Sequence, residues 1–306
     1  MQTILVTGAS GFVGRTLFGM VRAGEFAGTA SMLALPEGVD LRDAESVKRG
    51  VGGGAPDAVI HLAAQSFVPD SIARPLETYA VNLHGTINLL DALAGAGFRG
   101  AFLYVSSGDV YGAVPADALP IDEERLPKPR NPYAASKLAA EAYCCQFNQG
   151  SPTRMLIARP FNHIGPGQSE RFAIAGFAKQ ICAIKRRQQP PVIETGNVDV
   201  TRDFSDVRDV VRAYLALLDK GIAGRTYNVC SGVERRVGAV LRHMLELSGV
   251  TASVKGLREK TRPNEQPRHC GSNRRLCEDT GWSPRVPFEQ SLRDLLGSWD
   301  VVSANG

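Results

Sequence analysis

The chain has 306 residues, 43% hydrophobic and 22% charged, with a formal net charge of +4 at pH 7. Such a chain buries a large core in one elaborated domain or two intimate ones. Its charge is small and dispersed, no aromatic stretch accompanies its one basic run (Lys185-Arg186-Arg187, read as a solvated helix end), and no segment approaches the ~18 to 20 apolar residues of a membrane span, so neither nucleic acid nor a membrane is expected as a partner.

In chain order, a short apolar strand, Thr3-Ile4-Leu5-Val6-Thr7, runs into Gly8-Ala9-Ser10-Gly11-Phe12-Val13-Gly14 and then a helical pattern. Glycines there let the backbone turn sharply and approach a pyrophosphate, and the new helix offers unpaired N–H groups and the positive end of its dipole. Further strand-like runs at 29–35, 58–62, 101–106 and 154–158 alternate with helical patterns at 44–51, 76–98 and 132–147. This alternation predicts an α/β fold, a Rossmann-type doubly wound parallel sheet with its ligand crevice at the carboxyl ends of the strands. Gly8, Asp40-Leu41, Ala63-Ala64-Gln65, Ser106-Ser107 and Pro160-Phe161-Asn162 all fall at such ends. After Asn162 the alternation breaks. Residues 1–161 plus about 205–231 are expected to form the dinucleotide-binding domain, and 162–204 plus 232–306 a smaller C-terminal α/β substrate domain.

The six cysteines, Cys144, Cys145, Cys182, Cys230, Cys270 and Cys277, form no Cys-x-x-Cys pair and no regular spacing. Neither a metal site nor a disulfide framework is expected, and the apolar start is too short and lacks a basic leader, which together point to a reducing cytoplasm.

Tyr133 and Lys137, four residues apart, share a helix face. Asn131-Pro132 supplies an N-cap and a first-turn proline, so Tyr133 sits near the positive helix end. Dipole and ammonium both favour phenolate, and bringing a tyrosine from ~10 toward 7 takes about 4 kcal/mol of differential stabilisation. A phenol so tuned donates a proton to a developing alkoxide. Ser107, closing the fourth strand, is placed to hold a substrate oxygen beside it. His163 reads as a packed or backbone-bonded histidine.

Taken together, the glycine turn, His61-Leu62-Ala63-Ala64-Gln65, Ser106-Ser107-Gly108-Asp109-Val110-Tyr111-Gly112, Tyr133-x-x-x-Lys137, Arg159-Pro160-Phe161-Asn162, Arg202-Asp203-Phe204 and Arg262-Pro263-Asn264-Glu265 resemble the extended short-chain dehydrogenase/reductases that act on nucleotide sugars. Residues 106–112, 159–168 and 262–265 in particular resemble the GDP-4-dehydro-6-deoxy-D-mannose reductases, which form GDP-D-rhamnose, and the related GDP-mannose 4,6-dehydratases. The resemblance implies NADPH or NADH held by Gly8, Gly11, Phe12, Val13, Gly14, Asp40, Leu41, Leu62, Ala63, Ala64, Tyr133, Lys137 and Pro160. It implies a GDP-sugar held by Ser107, Gly108, Asp109, Asn162, Arg202, Arg262 and Glu265, with the two arginines on the diphosphate and Glu265 on a ribose. Asp40 would bond the adenine amine, and a homodimer would form through the helix of Tyr133. The dehydratase pattern places Glu where this chain has Asp109, about 1.5 Å shorter, and misplacements of that order cost ~100-fold in rate. Simple reduction of the C4 ketone is therefore expected. Dehydration, epimerisation or a non-catalytic dinucleotide sensor are the alternatives, the last disfavoured by Tyr133-x-x-x-Lys137.

Overall fold

The computed structural model describes residues 2–26, 30–52, 54–257 and 266–302. The first part alternates β1 (Gln2–Thr7), α1 (Phe12–Arg22), β2 (Ala30–Ala34), α2 (Ala44–Val51) and β3 (Ala58–His61). There follow α3 (Val68–Ala73), α4 (Pro75–Tyr79), a π-helical turn (Ala80–His84), α5 (Gly85–Gly95), β4 (Ala101–Val105), α6 (Pro132–Gly150) and β5 (Arg154–Pro160). Then come β6 (Asn162–Ile164), α7 (Ala173–Lys185), β7 (Val192–Thr195), β8 (Thr201–Asp206), α8 (Val207–Lys220) and β9 (Thr226–Val229). The chain continues with β10 (Glu234–Arg236), α9 (Val237–Ser248), β11 (Ser253–Gly256), β12 (Arg268–His269), α10 (Arg274–Thr280) and α11 (Phe288–Val302).

Six strands form one parallel sheet in the order β2-β1-β3-β4-β5-β9. The order reverses between β1 and β3, and that switch point opens the ligand crevice. Side chains alternate between two cores, as strand geometry requires. Ile4, Val6, Ile60, Leu103 and Leu156 pack with α1 and α8, while Leu5, Val59, Phe102, Tyr104 and Ile157 pack with α2, α5 and α6. A third core around Phe177, Ile181, Val240, Leu241 and Leu295 binds α7, α9 and α11 to β8. The C-terminal segment serves both layers, because Leu276 and Trp282 pack into the core beneath the large sheet.

Two local readings are corrected. The helix expected over 76–98 is α4, a π-helical turn and α5 in sequence, and α3 precedes it. The π turn turns Asn82 inward, where its amide donates to the Gln65 carbonyl and the Ser136 hydroxyl, an arrangement no 3.6-residue periodicity reveals. The basic run at the end of α7 is not merely solvated: the Arg186 guanidinium donates to the carbonyls of Trp299 and Asp300 at 2.7 Å each and ties α7 to α11.

His61, fully buried at the end of β3, is neutral by necessity. The Thr86 hydroxyl donates to the Asn82 carbonyl and so accepts from His61 Nε2, while the Thr7 hydroxyl donates to Nδ1 at 2.7 Å. Burial pulls its pKa from 6.5 to about 3, with Lys137 adding in the same direction. Between those values the unfolded chain binds the extra proton, so stability falls on acidification by about 1.4 kcal/mol per pH unit. Denaturant titrations at pH 7 and pH 5 should therefore differ by about 2 kcal/mol from this residue, and His61→Gln should flatten the slope by that amount. A slope unchanged by the substitution would contradict the assignment.

Candidate functional site

The first wall of the site is backbone. Gly8 has φ +70°, and a Cβ there would lie 2.7 Å from the Ala63 nitrogen and 2.9 Å from its Cα, so the turn rests directly on the end of β3. A Cβ on Gly14 would overlap the Gly8 carbonyl oxygen and lie 2.6 Å from Ala9 Cα. Gly11 stands at the N-cap of α1, with no side-chain cap and no acidic residue in the first turn. Its first amides and the positive dipole end thus stay open to an anion.

Opposite lies the polar wall. Ser107 ends the extension of β4 and accepts from the Asp109 amide at 3.2 Å, which fixes the tight turn 108–111. Asn131 caps α6, accepting from Ala134 N at 2.8 Å with Pro132 in the first turn, as the sequence predicts. Tyr133 and Lys137 follow on the buried face of that helix. Ser107 lies within hydrogen-bonding reach of the Tyr133 phenol.

The expected direction of the tyrosine's tuning is reversed. Burial pushes the Tyr133 pKa above its ordinary value, the Asp109 carboxylate adds to the rise, and only the Ser107 hydroxyl opposes it. Lys137 is pulled down to about 8 by burial, with the Glu141 carboxylate opposing. Its ammonium faces the Tyr104 ring, 4.5 Å from the centroid. Sequence spacing shows the shared face but not its desolvation, which here outweighs the dipole.

These walls enclose a cavity of about 500 Å³ that brings together Gly8, Gly11, Phe12, Val13, Gly14, Leu62, Ala63, Ala64, Ser107, Asp109, Tyr133, Lys137, Pro160 and Asn162. Gly108 turns its carbonyl toward His269, whose Nε2 lies 3.2 Å away. Leu41 is in the core beside α5, and Asp40 is exposed, its carboxylate gripped by the Arg42 guanidinium, which holds its pKa down to about 2. Neither lies among the residues lining this cavity. Asp43 caps α2, its carboxylate accepting from the Glu45 amide.

A second cleft of about 640 Å³ adjoins the first at Val68, Asn162, His163, Gln168 and Phe172, and Arg202 of β8 lines it. The Arg202 guanidinium donates to the carbonyls of Thr201 and Gln266 at 2.7 and 2.9 Å. Arg262 and Glu265 lie outside the described residues. His163 stacks on Phe12 and its Nδ1 meets the Phe161 carbonyl at 3.0 Å, a packed histidine as expected. A cavity of about 750 Å³ beside β9 holds none of the predicted residues, and Arg225 and Arg275 there pair with Asp279 and Glu124. Among the described residues no group of three or more His, Cys, Asp or Glu is arranged to hold a metal ion.

Sequence reasoning missed Tyr214 and His269, and it placed Ser106 at a strand end and Gln168 in a family stretch without giving either a role; all four are in the wall of the smaller cavity. Ser106 Oγ, Gln168 Oε1 and the Tyr214 hydroxyl are buried without a partner among the described residues. Buried polar atoms of that kind call for a ligand or water. With the glycine cradle they fit a dinucleotide.

The GDP-mannose 4,6-dehydratase family pattern matches residues 32–295. The chain is 46% identical over 98% of its length to a GDP-6-deoxy-D-mannose reductase of Pseudomonas aeruginosa, covering 97% of that protein. It superposes on the structure of RMD from Pseudomonas aeruginosa complexed with NADPH with TM-score 0.93 and 46% identity, covering 98% of this chain and 99% of that one. Thermus thermophilus UDP-glucose 4-epimerase in complex with NAD gives TM-score 0.85 and 29% identity, with 98% and 99% covered.

A side chain at Gly14 would drive α1 away from Gly8 and Ala9 and open the turn, so Gly14→Ala should weaken NADPH binding at least ~100-fold in a fluorescence titration, a loss of about 2.7 kcal/mol. Wild-type affinity in that variant would overturn the placing of the cradle.

Proposed function

The chain belongs to the GDP-mannose 4,6-dehydratase family of extended short-chain dehydrogenase/reductases, and from that premise we propose that it reduces the C4 ketone of GDP-4-dehydro-6-deoxy-D-mannose to GDP-D-rhamnose with NADPH or NADH. The carrying observation is that Ser107, Asp109, Tyr133 and Lys137 line one cavity with the bare glycine turn, in a chain similar end to end to a reductase. The reduced nicotinamide supplies the hydride. Ser107 holds the ketone oxygen. Tyr133, kept as the neutral phenol by its burial, donates its proton as charge develops there, an alkoxide being the stronger base. Lys137 would hold the nicotinamide ribose and stabilise the phenolate left behind.

Leu62, Ala63, Ala64 and Pro160 would complete the dinucleotide wall, with Asp40 and Leu41 toward the adenine. Asn162 and Arg202 would take the sugar and diphosphate, joined by Arg262 and Glu265. We assign residues 1–161 with about 205–231 to the cofactor and 162–204 with 232–306 to the nucleotide sugar. No described helix is long and apolar enough to cross a membrane, and we place the enzyme in the cytoplasm as a homodimer through α6.

A dehydratase needs, besides hydride transfer, a base aimed at C5, and Asp109 is the carboxylate that lines the cavity. Wild-type protein should consume one NADPH per 4-keto sugar and leave GDP-mannose unchanged, while Asp109→Asn keeps most of the reduction and Tyr133→Phe loses ~100-fold in turnover with cofactor affinity intact. Conversion of GDP-mannose without net cofactor change, abolished in Asp109→Asn, would decide for dehydration. Arg202→Ala should cost about 1.5 to 3 kcal/mol of GDP-sugar binding, ~10- to 150-fold in affinity, with NADPH affinity unmoved. Equal competition by GDP against wild type and variant would remove Arg202 from the diphosphate site.

A further inference from the structure

His269 is 4% exposed and lies in the cavity wall with Ser107, Asp109 and Tyr133, yet nothing in the proposed reaction uses it. It ends β12, which pairs in parallel with β8 so that His269 stands opposite Arg202. Its ring stacks on Phe161, with centroids 4.5 Å apart and planes 24° from parallel. Its Nε2 meets the Gly108 carbonyl at 3.2 Å. A carbonyl only accepts, so Nε2 carries the proton. The ring is held neutral by burial, with Arg202 acting the same way and Asp109 opposing. Gly108 itself is covered: a Cβ there would lie 3.0 Å from the Phe161 ring and 3.1 Å from His269 Cε1.

Gly108 sits between the ketone-holding Ser107 and the carboxylate of Asp109. The turn 107–111 also carries local bonds, Asp109 N to Ser107 Oγ at 3.2 Å, Val110 N to the Ser107 carbonyl at 3.3 Å and Gly112 N to the Asp109 carbonyl at 3.1 Å, and its far end is tied by Lys128 N to the Val110 carbonyl at 2.9 Å and by the Tyr111 hydroxyl to Asn228 Oδ1 at 2.7 Å. None of those bonds reaches β8 or β12, the strands of Arg202 and His269. The imidazole does reach the turn, and the strand that carries His269 is zipped to the strand of Arg202 through Thr201 N to the Pro267 carbonyl at 2.8 Å and the Arg202 guanidinium to the Gln266 carbonyl at 2.9 Å.

We propose that His269 is a positioning residue, stacked on Phe161 and donating to the Gly108 carbonyl, that locks the Ser107–Asp109 turn to the β8–β12 pair so that a sugar nucleotide seated at Arg202 presents its ketone to Ser107 and Tyr133. The proposal rests on the reductase reading for its substrate, and on geometry alone for the lock. A shift of about 1 Å in the turn is enough to cost up to ~100-fold in rate while leaving the binding groups in place.

Two variants separate the hydrogen bond from the packing. His269→Phe keeps the stack on Phe161 and loses the donor, whereas His269→Gln restores a side-chain N–H. With NADPH and the 4-keto sugar, His269→Phe should lower kcat about 10- to 100-fold with KM and NADPH affinity within about twofold, and His269→Gln should recover most of it. Amide hydrogen exchange of the ligand-free protein supplies an independent readout: Asp109 and Val110 should exchange ~10-fold faster in His269→Phe and at the wild-type rate in His269→Gln. A kcat within twofold of wild type in His269→Phe, unaltered exchange at those two amides, or equal defects in both variants would each overturn the lock. Should wild type leave the 4-keto sugar untouched, the substrate assignment fails, and the exchange measurement still decides the role of His269.

Discussion

The contact between the turn after β1 and the end of β3 sets the dimensions of the site. With a Cβ at Gly8 only 2.7 Å from the Ala63 nitrogen, the two backbones touch, and any side chain would drive them apart. This closeness lets Thr7 bridge them, donating to His61 and accepting from the Ala63 amide at 3.2 Å. It also leaves the uncapped start of α1 facing the gap between strands rather than a side chain. The switch point of the sheet is thus a surface of bare peptide, and an anion is its natural complement.

The opposite wall is held by charge. Arg159 of β5 grips Glu141 of α6 through two bonds, 2.6 and 3.0 Å, and lies 4.8 Å from the Tyr111 ring centroid. Tyr111 in turn donates to Asn228 of β9 at 2.7 Å. A buried pair of this kind adds little net stability, but removing one partner strands the other at a cost of about 3 to 5 kcal/mol, so the geometry admits few alternatives. The pair fixes α6 one turn beyond Lys137, and Glu141 supplies the negative charge that keeps the buried ammonium from losing its proton at a lower pH. One ion pair therefore sets both the place and the charge of the lysine.

Much of this was legible in the sequence, and what was not has a common cause. The strands, α2, the glycine turn, the Asn131 cap and the shared face of Tyr133 and Lys137 are local patterns, each spelled within one stretch of chain. Tyr214 and His269 reach the site from 81 and 136 residues away from Tyr133, Asn82 reaches Ser136 of α6 through a helical irregularity, and no local period announces them. The direction of the Tyr133 shift escaped for a related reason, since burial is a property of the assembled wall. The helix end and the lysine were visible in the sequence; the removal of water around the phenol, which outweighs them, was not.

The two cavities meet under a joint of a different strength. There Arg171 lies 3.8 Å from the centroid of the Phe67 ring and pairs with Asp70 at 2.7 Å, Phe172 packs edge-on against Phe67, and Arg15 donates to the Gly167 carbonyl at 3.0 Å. The Arg171 and Asp70 side chains are 50% and 28% exposed, so the pair is worth at most about 1 kcal/mol and the cation–π contact about as much again. Parting that mouth is thus cheap beside disturbing the Glu141–Arg159 anchor. The difference in strength separates a mouth whose contacts part at little cost from the wall of α6, where the phenol of Tyr133 and the ammonium of Lys137 stand on a helix pinned by the buried Glu141–Arg159 pair.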